Sequence, residues 1–222
     1  MRVWVTRSQP GAARMADALA QAGHVPIIGP VFSIRHLDVE VEGETSVCVV
    51  LSAHVVDAAR RLCPSQGYLA IGGATAQALA EATGLPVATP DSADSEGVVR
   101  WLSDRLAELR AAPVVILTGE GGREVIETFL TTSKVVYRRI EVYRRQPEPL
   151  AAVPFNTDAI EIASLDALHQ VDRLWSSGGG PLDIRLVVVS GRLAEAARSK
   201  GFMKVTVSAG PEPRAVVESL DV

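Results

Sequence analysis

Residues 3–19, VWVTRSQPGAARMADAL, decide the fold, because the chain writes their pattern again at residues 114–130 as VVILTGEGGREVIETFL. Each copy has an apolar run, a short turn of small and polar residues, and a stretch of helical period in the same frame. Two further segments follow suit. VVLSAHVVDAARRL, around Ser52, is echoed by EIASLDALHQVDRL around Ser164, and AIGGATAQALAEATG, from Ala70, by VVVSGRLAEAARSKG from Val187. Partners lie roughly half a chain apart, so one unit occurs twice and the chain is not a many-repeat solenoid. Two similar lobes with facing strand-to-helix turns form a cleft, which is where a ligand is expected.

Working outward, residues 3–5 read as a buried strand, and Ser8 with Pro10 as a helix start whose apolar stripe runs through Met15 and Leu19 to a stop at Gly23. A short strand follows at 25–28 and an extended connector at 32–41. The continuous apolar run 47–51 is a strand, and Ser52 caps a helix with Val55, Ala59 and Leu62 on one face. Residues 69–71 enter the Gly72-Gly73 turn, and a helix from Thr75 ends at Gly84. A strand at 87–89 precedes a helix capped by Asp94 or Ser95 and carrying Val98, Trp101 and Leu102. Pro113 opens the duplicate strand, residues 135–144 are again extended, and PEPLAAVP from Pro147 is the most Pro-rich linker.

Strands alternating with helices mean parallel α/β architecture: two similar lobes, each a parallel sheet flanked by helices. A simple split near residue 112 is one option. The two extended connectors favour another, in which the chain leaves the first lobe and later returns. Residues 1–35 and 150–222 then form a discontinuous lobe, residues 40–142 the second, with connectors near 36–39 and 143–149.

With 222 residues, 47% apolar and 22% charged, the chain has enough core material for two compact lobes and is too balanced to be disordered. No run of about 18 apolar residues occurs and the N-terminus lacks a signal-peptide pattern, so a cytoplasmic protein without membrane insertion is expected. Cys48 and Cys63 read as reduced thiols and not as a disulfide framework. The net charge of −4, with no long basic stretch, argues against nucleic acid as partner. An anionic small molecule fits, because helix-start N–H groups and local arginines can hold carboxylates in an acidic protein.

Five segments, VTRSQP, LSAHVVDAARRL, AIGGATAQAL, LTGEGGRE and EVYRR, resemble in order and spacing the uroporphyrinogen-III synthase family over nearly the whole chain. The resemblance implies a paired extended linker between the lobes, an open cleft, no cofactor and no metal. It implies as substrate hydroxymethylbilane, a polyanionic linear tetrapyrrole, which is cyclised with loss of water and inversion of ring D, through a spiro intermediate, to uroporphyrinogen III. Such an enzyme belongs to haem and cobalamin biosynthesis, acts as a monomer, and has the preceding bilane-forming enzyme as a partner. The bilane cyclises unaided to the non-inverted isomer, so the protein's task is orientation, aided by one general acid for the departing hydroxyl.

Tyr143 in EVYRR matches the family's acid; its structural reading is an aromatic packed in a connector with its OH bonded. Thr6 and Arg7 sit where the first strand turns into its helix, and Arg7 can pair with a propionate or form an ion pair within the protein. Ser52 and Ser164 hold duplicate positions that serve either as N-caps or as carboxylate donors. Gly72, Gly73 and Thr75 form the turn most like the family's IGxxT pattern, and Gly119, Gly121, Gly122 and Arg123 suggest an anion nest. GEGGRE lacks the GK[ST] ending of a phosphate loop, so nucleotide binding is not expected. His54, two residues after Ser52, is a candidate for facing the substrate, and His24, His36, His54 and His169 show no metal-ligand spacing.

The last third departs from the family pattern. Around Ser190 and Gly191, VVVSGRLAEAA stands where Ile-Gly-Pro-Thr-Thr-Ala is usual, with Leu193 in place of a substrate-facing threonine, and IASLDAL lacks the Thr before Ser164. Backbone donors survive such changes, since N–H groups do not depend on side-chain identity except at Pro. The departure motivates a second expectation, a catalytically degenerate relative acting as a tetrapyrrole- or anion-binding regulatory module. A third, a two-lobe small-molecule binder, explains the duplication but not the motifs.

Overall fold

The computed structural model describes residues 1–150 and 152–220; Ala151 of the PEPLAAVP linker, and Asp221 and Val222 at the end of the expected first lobe, lie outside them. The chain divides into two compact units, Met1–Ser33 with Gln146–Val222, and Ile34–Arg145. The first unit opens with β1 (Arg2–Val5), α1 (Gly11–Gln21) and β2 (Val25–Ile28). Later in the chain it adds β9 (Ala159–Ile162), α6 (Leu165–Ser177), β10 (Arg185–Val188), α7 (Gly191–Ser199), β11 (Lys204–Val207) and α8 (Pro213–Glu218). Between them come β3 (Phe32–His36), β4 (Cys48–Val50), a 3-10 turn (Ala53–Val55), α2 (Val56–Ala59), β5 (Tyr68–Ala70) and α3 (Gly73–Thr83). β6 (Val87–Ala88), α4 (Ser95–Ser103), β7 (Val114–Gly119), α5 (Val125–Thr132) and β8 (Tyr137–Pro147) complete the second unit. The chain crosses between units within β3 and returns within β8, which are neighbours in one sheet.

The strand orders are β11-β10-β9-β1-β2 in the first unit and β3-β8-β7-β4-β5-β6 in the second. Every pair from β11 to β2 and from β8 to β6 is parallel. The repeat seen in the sequence is visible here, with an exchange. β1 and β2 correspond to β7 and β8, and β9 to β11 correspond to β4 to β6. Each unit therefore takes its first two repeat strands from one sequence copy and its last three from the other. In both units the order reverses at one place, between β1 and β9 and between β7 and β4, and such switch points are where open parallel sheets bind ligands.

Each sheet is buried on both faces because period-2 alternation sends successive apolar side chains to opposite layers. Cys48, Val50, Val115 and Leu117 pack in one layer of the second unit, while Val47, Val49, Val114 and Ile116 pack in the other. In the first unit Trp4, Ile160, Leu186 and Val188 face α6 and α7 residues, whereas Val3, Val5, Ala159 and Val187 join Met15 and Leu19 of α1. Each fully buried Val, Leu or Ile side chain contributes roughly 1.5–3 kcal/mol relative to exposure.

Local signals behave as their chemistry dictates, with three departures. α1 starts at Gly11, and Ser8 does not cap it but donates its hydroxyl to the Phe32 carbonyl at 2.6 Å. The helix expected after Ser52 is cut to a 3-10 turn and the four residues of α2, ahead of Pro64, which cannot continue a helix; the Tyr68 hydroxyl takes the freed Leu62 carbonyl at 2.6 Å. The connector expected over 32–41 is a strand only to His36. Of the two caps considered for α4, Asp94 serves, accepting from the Gly97 amide at 2.6 Å.

α5 ends in a Schellman arrangement, with the Val135 amide on the Leu130 carbonyl and the Lys134 amide on that of Thr131. Lys134 pays for this with φ 56°, a left-handed conformation suited to glycine. Lys134→Gly should raise stability by about 1 kcal/mol, read as a higher midpoint in urea titration; an unchanged or lower midpoint would show that the lysine side chain compensates elsewhere.

Candidate active site

At the switch point of the second unit, β4 ends and Ser52 takes an extended conformation, its Oγ accepting from the His54 amide at 3.3 Å. The 3-10 turn that follows carries the His54 ring to the Tyr143 ring, edge-on at 5.3 Å between centroids and 65° between planes. Tyr143 reaches this place by a bulge in β8. The β7–β8 register runs Leu117 to Ile140 and Thr118 to Glu141, then jumps from Gly119 to Tyr143, skipping Val142. The skipped Val142 carbonyl is used by the Leu37 amide at 2.9 Å. A bulge of this kind re-aims the next side chain, and here that side chain is the phenol.

Gly119 makes the phenol's position feasible. A Cβ there would lie 2.6 Å from Tyr143 Cε2 and 2.9 Å from its Oη, so the ring lies across bare backbone. Tyr143 is 2% exposed. Its Oη accepts from Arg145 Nη2 at 3.4 Å, and the Arg145 guanidinium carbon is 5.7 Å from the ring centroid, within cation–π range. A buried phenol bracketed by an imidazole edge and a guanidinium, over a glycine, can donate a proton to a bound group without competition from bulk water.

The β5 turn lies in the same sheet. Gly72 precedes α3, no side chain caps that helix, and Thr75 is buried in its first turn with its amide on the Gly72 carbonyl at 3.1 Å. Gly73 borders open space, so its amide can be approached closely.

Residues 119–124 are arranged differently from the open anion nest expected. Gly121 and Gly122 do adopt positive φ, 76° and 98°, but the Gly121 amide donates to Glu141 Oε1 at 3.3 Å. Arg139 ties the loop down through the Gly121 carbonyl, Glu127 at 2.5 Å and Glu141 at 3.1 Å. Arg123 pairs with Glu96, and this contact holds the Glu96 carboxyl below its ordinary range. The loop's anion is the protein's own Glu141.

In the first unit the switch point holds Thr6, Arg7 and Glu161. The Thr6 hydroxyl donates to the Glu161 carbonyl and Arg7 Nε to Glu161 Oε1, each at 2.7 Å. Glu161 is fully buried and the Arg7 side chain 16% exposed; Arg7 Nη2 and Glu161 Oε2 are buried without a hydrogen-bond partner. Burial pushes the Glu161 carboxyl up, and the Arg7 charge and its hydrogen bond work against that shift. Ser164 caps α6, accepting from the Ala167 amide at 3.1 Å, and Ser190 caps α7 ahead of Gly191, accepting from the Leu193 amide at 3.4 Å. Leu193, at the threonine position of the family pattern, is buried in the core.

Sequence reasoning names Ser52, His54 and Tyr143, which the structure brings together, and misses Arg145 beside them, the closeness of Gly119 to the Tyr143 ring and, in the first unit, the partner of Arg7. Arg145 had a signal, since it lies two residues from Tyr143 on an extended segment and so shares its face. The tight approach of Gly119 to the ring and the pairing of Glu161 with Arg7, 154 residues apart, had none. Cys48 is buried and desolvation pushes its thiol up to about 12, which keeps it protonated; Cys63 is a free exposed thiol. Among the described residues no cluster of three or more His, Cys, Asp or Glu is placed to hold a metal ion, and no helix is long and apolar enough to cross a membrane.

Known proteins are similar in sequence and in fold. A family model described as uroporphyrinogen-III synthase HemD matches residues 13–218. The uroporphyrinogen-III synthase of Escherichia coli (strain K12) is 27% identical over 246 aligned positions, covering 99% of this chain and 100% of that protein. That of Salmonella typhimurium (strain LT2) is 26% identical over 247 positions, with 99% and 100% covered. Among solved structures, uroporphyrinogen-III synthetase from Helicobacter pylori 26695 superposes with a TM-score of 0.66 at 13% identity, over 98% of this chain and 96% of that one. A mutant uroporphyrinogen III synthase from the extremely thermophilic bacterium Thermus thermophilus gives 0.54 at 18% identity, over 100% and 97%. The structures share the fold, the family match runs through both units, and together they place this chain in the uroporphyrinogen-III synthase family.

Proposed function

We propose that this chain cyclises hydroxymethylbilane, with loss of water and inversion of ring D, to uroporphyrinogen III. The observation that carries the chemistry is the Tyr143 phenol laid over Gly119 and held between His54 and Arg145. In the first step an electron-rich pyrrole expels the hydroxyl of its hydroxymethyl group. The C–O bond breaks, its electron pair leaves with oxygen, and the phenol proton converts the departing group to water. The substituted carbon of ring D then attacks the exposed carbon, giving the spiro intermediate; its older bond to the methylene bridge from ring C breaks, and that methylene bonds to the free α-carbon of ring D. The proton released when the rearranged macrocycle regains its aromatic pyrroles returns to the phenolate, so the protein ends unchanged.

Orientation is the larger task, since the unassisted reaction gives the wrong isomer. Ser52, Gly72, Gly73 and Thr75 in the second unit supply donors for substrate carboxylates at strand ends, with His54 fixing the phenol's plane. Thr6, Ser164, Ser190 and Gly191 do so in the first unit, largely through amides. Arg7, Gly121, Gly122 and Arg123 reach substrate only by exchanging Glu161, Glu141 or Glu96 for a substrate carboxylate. The enzyme works in the cytoplasm as a monomer, receives its unstable substrate from the bilane-forming enzyme, and has no nucleic-acid partner.

The test is the isomer ratio of uroporphyrinogen formed from freshly generated hydroxymethylbilane, with and without protein, after oxidation and chromatography. Predominant type III is expected. Type I alone, at the spontaneous rate, would overturn the cyclase reading and leave a binding module in its place.

A further inference from the structure

Strand alternation in β8 puts Tyr143 and Arg145 on one face and Arg144 on the other. Arg145 Nη2 donates to Tyr143 Oη at 3.4 Å, with the guanidinium carbon 5.7 Å from the ring centroid. We infer that Arg145 is a positioning residue for the cyclisation, orienting the Tyr143 phenol as a proton donor and stabilising the charge that develops on Oη. This rests on the cyclase reading above.

A phenol oxygen offers one proton and accepts hydrogen bonds through its lone pairs, whereas a guanidinium is always charged and accepts none. With Arg145 donating to Oη, the phenol proton cannot turn toward Arg145 and must point elsewhere. The ring itself is held in place by the Gly119 backbone beneath it and by the His54 ring packed against it at 5.3 Å between centroids, so Oη stays where Arg145 meets it. As the proton passes to the departing hydroxyl, negative charge grows on Oη beside a fixed cation. The hydrogen bond is then stronger in the transition state than in the ground state, which is the condition for raising kcat without lowering KM. A purely structural Arg145, stacked on the ring, would stabilise both states alike.

The experiment is a double-mutant cycle on the full chain with hydroxymethylbilane, measuring kcat, KM and isomer ratio for wild type, Arg145→Gln, Arg145→Lys, Tyr143→Phe and Tyr143→Phe/Arg145→Gln, with thermal midpoints for each. Arg144→Gln, a neighbouring charge on the other face, controls for general attraction of an anionic substrate. Arg145→Gln should lose about 10- to 100-fold in kcat with KM changed less than about threefold, Arg145→Lys should recover most of the loss, and the double variant should be no slower than Tyr143→Phe. Additive losses, a loss confined to KM, or an equal loss in Arg144→Gln would each overturn the role of Arg145. Full activity in Arg145→Gln would do the same while leaving the cyclase reading intact. A wild-type chain that forms only type I product would remove that reading, and this role with it.

Discussion

Tyr143→Phe should lower kcat for type III formation by about 10²- to 10⁴-fold, the range for loss of a general acid, while the melting temperature stays within about 2 °C of wild type. The two readouts separate because of what the hydroxyl touches. Phenylalanine keeps the ring that packs over Gly119 and against His54, so the aromatic burial survives. The hydrogen bond that Arg145 donates to Oη is long, at 3.4 Å, so losing it costs little. Little folding energy is therefore at stake, whereas the reaction loses its proton source. Unchanged turnover would rule out the phenol as acid; a large fall in melting temperature would instead assign the hydroxyl to the fold.

The second large effect is on stability. Glu161→Ala should destabilise the chain by about 3–5 kcal/mol, because it leaves the largely buried Arg7 charge with no counter-ion. The double variant Arg7→Met/Glu161→Leu should recover most of that loss, since replacing a buried pair by apolar groups of similar size removes the desolvation cost of both. Urea titration of the three proteins decides it, and equal losses in single and double variants would mean that the pair contributes through packing alone. The pair also sets a pH dependence. Burial raises the native Glu161 carboxyl above the ordinary value of 4.5, so the folded protein binds this proton more tightly than the unfolded chain. The associated stability is complete below about 4.5 and is lost as pH rises through the native value. Wild-type stability should accordingly fall relative to Glu161→Gln as pH increases above about 4.5, and parallel curves would refute the shift.

Much of the architecture can be read from single residues. The runs at 3–5, 47–51 and 114–119 are apolar or nearly so, which only a sheet buried on both faces accepts. Gly23 and Gly84 stop their helices where the backbone turns left-handed, and Ser52, Ser164 and Ser190 accept from amides at the turns they open. The site was half legible. Ser52, His54 and Tyr143 stood out by motif, and Arg145 was within reach of the same alternation argument. Gly121, Gly122 and Arg123 had the right residue types for an anion nest, but which anion fills it depends on Glu141 from β8 and Glu96 from α4.

By itself the sequence determined the parallel α/β class, the duplication and the glycine stops at Gly23 and Gly84, because each follows from local periodicity and turn chemistry. Tertiary structure alone decided that a bulge at Val142 turns the Tyr143 ring over Gly119, and that Glu161 meets Arg7. These depend on register between strands and on pairs up to 154 residues apart, where burial selects among partners that are equivalent in local sequence.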